Sequence, residues 1–286
     1  MGLVANGGAQ IVSDRGGDFH ERTDSLVDST DNRLTTLGEW EHRWSDHTVQ
    51  DIKFNPRLPI FADLHQLFAR VLPRQKALRF LEVGCFPGSY MWYFNRYFGY
   101  QTCGLEYVGA CCARAKQNLQ AAGVEAEIIH ADLFDFEAPG KSGLWDVVAS
   151  FGFIEHFDDP SDTIERHLAL VKPGGYLVLV IPNHQGIYGR ILKVIDEEKY
   201  RMHNRMSYLD IHSALSGFEQ AEILEGGYYG RLGFWNCGLY HRVRRAGKVA
   251  YGFVRTPLWL IEQVGRLLPN SRTLSPNAAV IVRKSL

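Results

Sequence analysis

One stretch constrains the fold more than any other: Leu81-Glu82-Val83-Gly84-Cys85-Phe86-Pro87-Gly88-Ser89. An apolar run through Leu78, Phe80, Leu81 and Val83 stops at Gly84, a Gly/Pro turn follows, and an aromatic, helix-like segment begins at Ser89. Strand, glycine turn and helix in that order mark the first unit of an open parallel sheet. Such sheets take a nucleotide-like ligand outside the carboxyl end of the first strand. Glycines at 84 and 88 let backbone approach a ligand with no Cβ in the way.

The chain downstream repeats the alternation. Helical spacing over Ser89–Phe98, a short strand at Thr102–Leu105 ending in Glu106, a helix over about Ala110–Ala122 and a strand at Glu127–His130 come first. Trp145–Ser150 and Tyr176–Ile181 are almost wholly apolar, as strands buried on both faces are. A helix fits Ser161–Val171, and Lys172-Pro173-Gly174-Gly175 reads as a turn. Later elements are a helix at Ser207–Leu215, a sixth strand at Phe218–Leu224 and a last strand at Ala278–Arg283. The expectation is an α/β, Rossmann-like, mostly parallel seven-stranded sheet with helices on both faces.

The rest of the chain is appended to that core. Residues 1–35 are rich in Gly, Asp, Ser and Thr and read as a mobile tail. Residues 36–75 read as cap helices, one carrying Trp40 and Trp44 on one face and one with Ile60, Leu64, Leu67, Phe68 and Val71 at helical spacing. The Trp helix suits either a packing cap or a lid. Residues 76–286 form the main domain, with an insertion at about 226–277 that is expected to carry helices, one starting at Thr256-Pro257, and to cover the substrate. Between Gly226 and Ile261 there is no acidic residue, yet Arg231, Arg242, Arg244, Arg245, Lys248 and Arg255 are basic. That stretch suits a solvated positive face or recognition of an anionic acceptor. With the apolar run Pro257–Ile261 beside it, contact with a membrane surface or a lipid-linked acceptor also fits.

Bulk properties exclude several classes. A net charge of -1 argues against nucleic-acid binding through overall charge. Five cysteines, an odd count with Cys111 and Cys112 adjacent, do not suit a disulfide framework and point to a reducing cytoplasm. Met1–Ser13 lacks the basic and apolar parts of a signal peptide, and no apolar run is long enough to span a bilayer.

The ordered set Glu82-x-Gly84-x-x-x-Gly88, Glu106, His130-Ala131-Asp132-Leu133, Trp145-Asp146-Val147-Val148 and Lys172-Pro173-Gly174-Gly175 resembles the class I S-adenosylmethionine-dependent methyltransferases, closely over Phe80–Ile181. A nicotinamide dehydrogenase fits less well, because Phe86 stands where its fingerprint has a middle glycine. Phe86 also departs from many methyltransferases, which have a third glycine there. The resemblance implies S-adenosyl-L-methionine as cofactor. It implies that Glu82, Gly84, Cys85, Phe86 and Gly88 surround the methionine end, with Glu82 orienting the amino group. Glu106, with Tyr107 beside it, would hold the ribose hydroxyls. Asp132 and the Leu133 N–H would hold the adenine. Ser150, Phe151 and Gly152 would lie beside the sulfonium.

Ser150-Phe151-Gly152-Phe153-Ile154-Glu155-His156-Phe157 further resembles quinone-biosynthesis and related small-molecule O-methyltransferases. Some of these ligate a metal with an earlier Glu, a position held here by Gly152, so no metal is expected. His156, then His184, are the candidate bases if the acceptor is a hydroxyl. His203 and His212 are expected at the surface. Tyr188, Tyr228 and Tyr229 suit either a substrate wall or packing under the insertion. The implied activity is methyl transfer to a small or medium-sized acceptor, oxygen favoured. A methyltransferase-like binding subunit without catalysis is the alternative.

Overall fold

The strand that carries the glycine turn is central in the sheet. In the computed structural model, which describes residues 32–286 except 46–48, 139, 141–143, 235–236 and 246, β1 (Arg79–Val83) pairs in parallel with β2 (Gln101–Glu106) on one side and β4 (Trp145–Phe151) on the other. β3 (Glu127–His130) extends the first side. β5 (Val171–Pro182), β7 (Asn277–Lys284) and β6 (Ala221–Tyr229) extend the second. The seven-stranded order is β3-β2-β1-β4-β5-β7-β6, with β7 antiparallel to both neighbours. Strand order reverses between β1 and β4, so their carboxyl ends diverge and leave a crevice there.

Strand alternation sorts the core into two layers. Phe80, Val147, Ala149, Val178, Ala279 and Ile281 face one side. There they meet α2 (Pro59–Val71), α3 (Ser89–Phe98) and α4 (Gly109–Ala121) through Phe68, Phe94 and Leu119. Leu81, Val83, Val148, Leu177, Leu179, Val280 and Val282 face the other. They pack on α5 (Ser161–Leu170) and α8 (Tyr208–Leu215) through Ile164, Leu168, Ile211 and Leu215. Each such buried side chain contributes about 1.5–3 kcal/mol of transfer free energy. α1 (Leu37–Trp44) buries none of its residues and is held by a capping box, with the Glu39 N–H donating to Thr36 Oγ1 at 3.3 Å and the Thr36 N–H donating to Glu39 at 2.7 Å. α6 (Ile187–Ile195) and α7 (Glu197–Arg201) follow β5, and α9 (Leu239–Arg245) and α10 (Lys248–Gly265) lie between β6 and β7.

Several expectations shift. Residues 32–35 of the expected tail are fixed: Arg33 bridges Phe157 in antiparallel fashion and the Leu34 N–H donates to the His156 carbonyl at 2.8 Å. Residues 1–31 lie outside the described residues. Lys172–Gly175 falls inside the span of β5 but pairs with no strand among the described residues: Trp145 and Val147 of β4 face Val171 and Tyr176, and the four residues between turn out of the ladder with Gly174 at φ +76°. β6 starts at Ala221 and runs on to Tyr229 through Gly226 and Gly227. A side chain at 226 would meet Tyr208 at 2.4 Å, so glycine there serves close packing rather than a turn. α10 begins at Lys248, and Pro257 lies inside it rather than at its start.

Candidate active site

A cavity of about 460 Å³ opens at the carboxyl ends of β1, β2 and β4. Its floor is the glycine turn. Gly84 adopts φ +70°, and a Cβ there would meet Phe153 at 2.8 Å, so only glycine lets the turn close on the β4 loop. Glu106, at the end of β2, is buried and accepts from the Val108 N–H at 2.9 Å and the Phe86 N–H at 3.2 Å. Burial raises its pKa, while those backbone donors oppose the rise. A carboxylate has about four acceptor positions, so room remains for a ligand donor.

Asp132 stands beyond β3. Its Oδ1 accepts from the Phe134 N–H at 3.0 Å, and its Oδ2 meets Arg33 at 2.7 Å. The Arg33 guanidinium also lies over the rings of Tyr107 and Phe134, at 5.5 and 5.0 Å. Leu133 lines the same wall, as do Phe151 and Gly152. Phe151 stacks on Tyr90 at 3.5 Å. Gly152 has φ +72° and its N–H donates to the Val180 carbonyl at 2.8 Å, which turns the chain into the cavity. Phe86 lines the wall and meets the edge of Trp44 at 5.1 Å.

Of the twelve expected cofactor contacts, four stand off the cavity wall. Glu82 is buried beneath the turn, its Oε2 accepting from the Met91 N–H at 3.1 Å, with its pKa pushed well up by burial. Cys85 points at the backbone of Gly104, where a Cβ would meet its Sγ at 2.4 Å. Gly88 caps α3, with its carbonyl accepting from the Trp92 N–H at 2.9 Å. Ser150 is buried in β4 between β1 and β5.

The far end of the cavity holds a cluster of imidazoles, His203 tilted against His156 and edge-on to His184. His156 and His203 have ring centroids 4.5 Å apart, and His203 and His184 4.7 Å apart. The expectation of a surface His203 fails because the segment after β5 folds back and seats it between the two candidate bases. His212 is exposed, as expected. His156 Nδ1 lies 2.7 Å from the Met202 carbonyl and His203 Nδ1 2.5 Å from the Lys199 carbonyl. A carbonyl only accepts, so both Nδ1 atoms carry the proton and both Nε2 atoms present lone pairs. Burial first, then His203, lowers the His156 pKa to about 3; burial first, then His184, lowers that of His203 to about 3. Both rings are neutral at neutral pH. Glu155 is buried against them, with Oε2 making no hydrogen bond among the described residues, and burial pushes its pKa up to about 8.

Glu155, His156 and His203 offer three buried donor atoms within 4.8 Å of one another, a geometry able to hold a metal ion. Position 152 offers no ligand, and a third donor comes from His203 instead. Trp40 closes the cluster edge-on to His156 at 4.8 Å, and its indole N–H donates to Thr35 at 2.9 Å. Arg43 and Lys199 add positive charge to the same wall. Burial lowers the Lys199 pKa first, and Arg43 second. The sequence reading did not single out Arg33, Arg43, Lys199 or His203 for the site: Arg33 and His203 lie on irregular segments, Arg43 on α1 and Lys199 on α7. For Lys199 and His203 the only sequence signal was the loss of pattern after Pro182.

The insertion after β6 covers the cavity less than expected. Among the described lining residues, Asn277 alone comes from it, and the cover is built by residues 33–44 and 199–203. Tyr188 is buried under the insertion, where it accepts from the Gly233 N–H at 3.1 Å, and neither Tyr228 nor Tyr229 lines the cavity.

A family model described as a methyltransferase domain matches residues 56–223. The chain belongs to this family. It is a class I S-adenosylmethionine-dependent methyltransferase. The ubiquinone biosynthesis O-methyltransferase of Aromatoleum aromaticum is 26% identical over 208 residues, covering 68% of this chain and 85% of that protein. Solved methyltransferases share the fold. A Geobacter sulfurreducens enzyme with S-adenosyl-L-homocysteine has TM-score 0.52 and 17% identity, covering 88% of this chain and 99% of that one. The phosphoethanolamine N-methyltransferase 2 of Haemonchus contortus, with S-adenosyl-L-methionine, has TM-score 0.53 and 18% identity, covering 91% of this chain and 59% of that one. The methyltransferase's own residues fit that cofactor. A buried carboxylate at Glu106, a half-buried one at Asp132 and a glycine floor at Gly84 face one cavity. No helix of the described residues is long and apolar enough to cross a membrane.

Proposed function

We propose that the methyltransferase acts on an oxygen of a small or medium-sized acceptor, with the imidazole cluster taking the acceptor's proton. The observation that supports this is the pair of neutral, buried imidazoles, protonated at Nδ1, that line the far half of the cavity together with Glu155. S-adenosylmethionine, when bound, supplies an electrophilic methyl group on a good leaving group, so the chain's task is positioning, drying and proton transfer. Glu106 holds the ribose hydroxyls, and Asp132 with Leu133 holds the adenine. Phe151, Gly152 and Phe86 line the methionine side. Trp40 and Trp44 keep water out. Nε2 of His156 or His203 would take the acceptor's proton as its O–H bond breaks, while the methyl–sulfur bond gives way to the new carbon–oxygen bond. His184 completes the cluster, edge-on to His203. Arg43 and Lys199 favour an acceptor that carries negative charge.

The test is turnover on a panel of phenols, carboxylates and amines, with His203→Ala and His156→Ala variants. A proton acceptor contributes about 10²-fold or more, so each variant is expected to lose about that much turnover on an oxygen acceptor and to keep its cofactor affinity. Transfer is expected to survive EDTA. Preference for amines, or full turnover in both variants, would overturn the assignment. Loss in EDTA restored by a divalent cation would reassign the cluster to a metal.

A further inference from the structure

α10 is apolar on two opposite faces, and only one of them is covered. Its inner face is fixed by Glu262, whose carboxylate accepts from the Phe234 N–H at 2.9 Å. Gly265 completes that contact, for a Cβ there would meet Leu232 at 2.6 Å. The opposite face carries Val249, Phe253, Leu260 and Val264, continued by Leu267 just past the helix end; they recur at helical spacing and are 74, 79, 53, 66 and 86% exposed. Trp259 and Ile261 flank the stripe and are also exposed. An exposed apolar stripe of this length marks a docking surface.

Charge says what docks. Lys248, Arg255 and Arg266 are exposed on or beside this helix, and Arg242 and Arg244 on α9. Arg244 and Arg255 lie on the ring of Tyr251 at 5.2 and 5.9 Å, so their charges converge. From Gly226 to Leu286 the sole acidic residue is Glu262, and it is buried on the inner face. Two copies meeting through this face would bring the cationic groups together and repel. A surface of anionic lipid would neutralise them while taking in the apolar stripe. The helix cannot span a bilayer, so it would lie along one.

We infer that α9 and α10 form an interfacial anchor that docks the methyltransferase on an anionic membrane surface, with Phe253, Leu260, Val264 and Leu267 inserted and the arginines at headgroup level. The residues concerned lie outside the cavity lining, so docking and methyl transfer are separable.

The experiment is co-sedimentation of the full chain with vesicles of phosphatidylcholine alone and of phosphatidylcholine mixed with phosphatidylglycerol. The protein is expected to sediment with the mixed vesicles, not the neutral ones, and to be released by salt. Phe253→Glu with Leu260→Glu is expected to weaken partition roughly tenfold or more. Lys248→Glu with Arg255→Glu is expected to do the same. Melting temperature and S-adenosylhomocysteine affinity should stay unchanged in both. Absence of the wild-type chain from the mixed-vesicle pellet overturns the inference. Equal binding to neutral vesicles, or undiminished binding by the Phe253/Leu260 variant, does so as well. A dimer in sedimentation velocity that this variant abolishes, with no vesicle binding, assigns the face to a second copy instead.

Discussion

Arg33 and Asp132 meet at 2.7 Å across the mouth of the cofactor cavity, joining the strap at residues 32–35 to the loop after β3. Backbone also holds the strap, with the Asp158 N–H donating to the Asn32 carbonyl and the Leu34 N–H to that of His156, both at 2.8 Å, and the Asn32 side-chain amide donates to the Asp159 carbonyl at 2.7 Å. A side chain that ties this strap over the adenine wall should slow the escape of whatever the cavity holds. Partly exposed ion pairs contribute about 0–1 kcal/mol, and cation–π contacts such as those to Tyr107 and Phe134 about as much. Arg33→Ala is therefore expected to speed S-adenosylhomocysteine release and to weaken binding roughly threefold to tenfold in calorimetry and stopped-flow. A tighter complex would mean instead that Arg33 occupies the adenine slot.

Glu106 is the residue on which cofactor binding should depend most. Its backbone partners, Val108 and Phe86, hold the carboxylate in place before any ligand arrives. Losing a pair of charge-assisted hydrogen bonds costs about 1–3 kcal/mol. Glu106→Ala should lose that much S-adenosylmethionine affinity. Glu106→Gln, which keeps the shape and one acceptor, should lose less. Because the same carboxylate braces the turn, melting temperature must be followed in parallel. Unchanged affinity in a well-folded Glu106→Ala protein would remove the ribose role.

Acid stability should report a histidine outside the cavity. His167 on α5 is fully buried, its Nδ1 lies 2.6 Å from the Thr163 carbonyl, and burial lowers its pKa from 6.5 to about 4. The unfolded chain takes up a proton near pH 6.5, while the folded chain resists until about pH 4. Between those values the unfolded state binds more protons, so stability falls as pH falls. The contribution present above pH 6.5 and lost by about pH 4 is on the order of 3 kcal/mol. His156 and His203, both lowered to about 3, act in the same direction. Urea midpoints measured from pH 7 down to pH 4 should therefore fall less steeply in His167→Gln than in the parent. Parallel profiles would show that His167 titrates freely.

Much of the fold was legible in the residues before any coordinates, and the reason is locality. A strand that stops at a glycine, a turn, and a helix that starts at Ser89 are set by residues within one short window. So are the paired β2–Glu106 and β3–Asp132 ends. That is why the sheet, the family resemblance, and Glu106 and Asp132 on one cavity wall could all be expected. The turn at Lys172–Gly175 was legible as well, and Gly174 makes it at φ +76° between the paired residues Val171 and Tyr176. Local signals misled where longer-range packing overrode them. Pro257 looks like a helix start but is carried inside α10.

The sequence by itself determined the parallel sheet, the glycine turn at its centre and the acids at the strand ends, because periodicity and turn chemistry act over a few residues. Only the tertiary structure decided what surrounds them. Glu82, next to the turn, is withdrawn beneath it. His203, from an aperiodic segment, is set between His156 and His184. Arg33 is bound to Asp132. The apolar side of α10 is left facing outward. Each of these depends on which distant segments the packing of the core brings together, and no local pattern of residues encodes that.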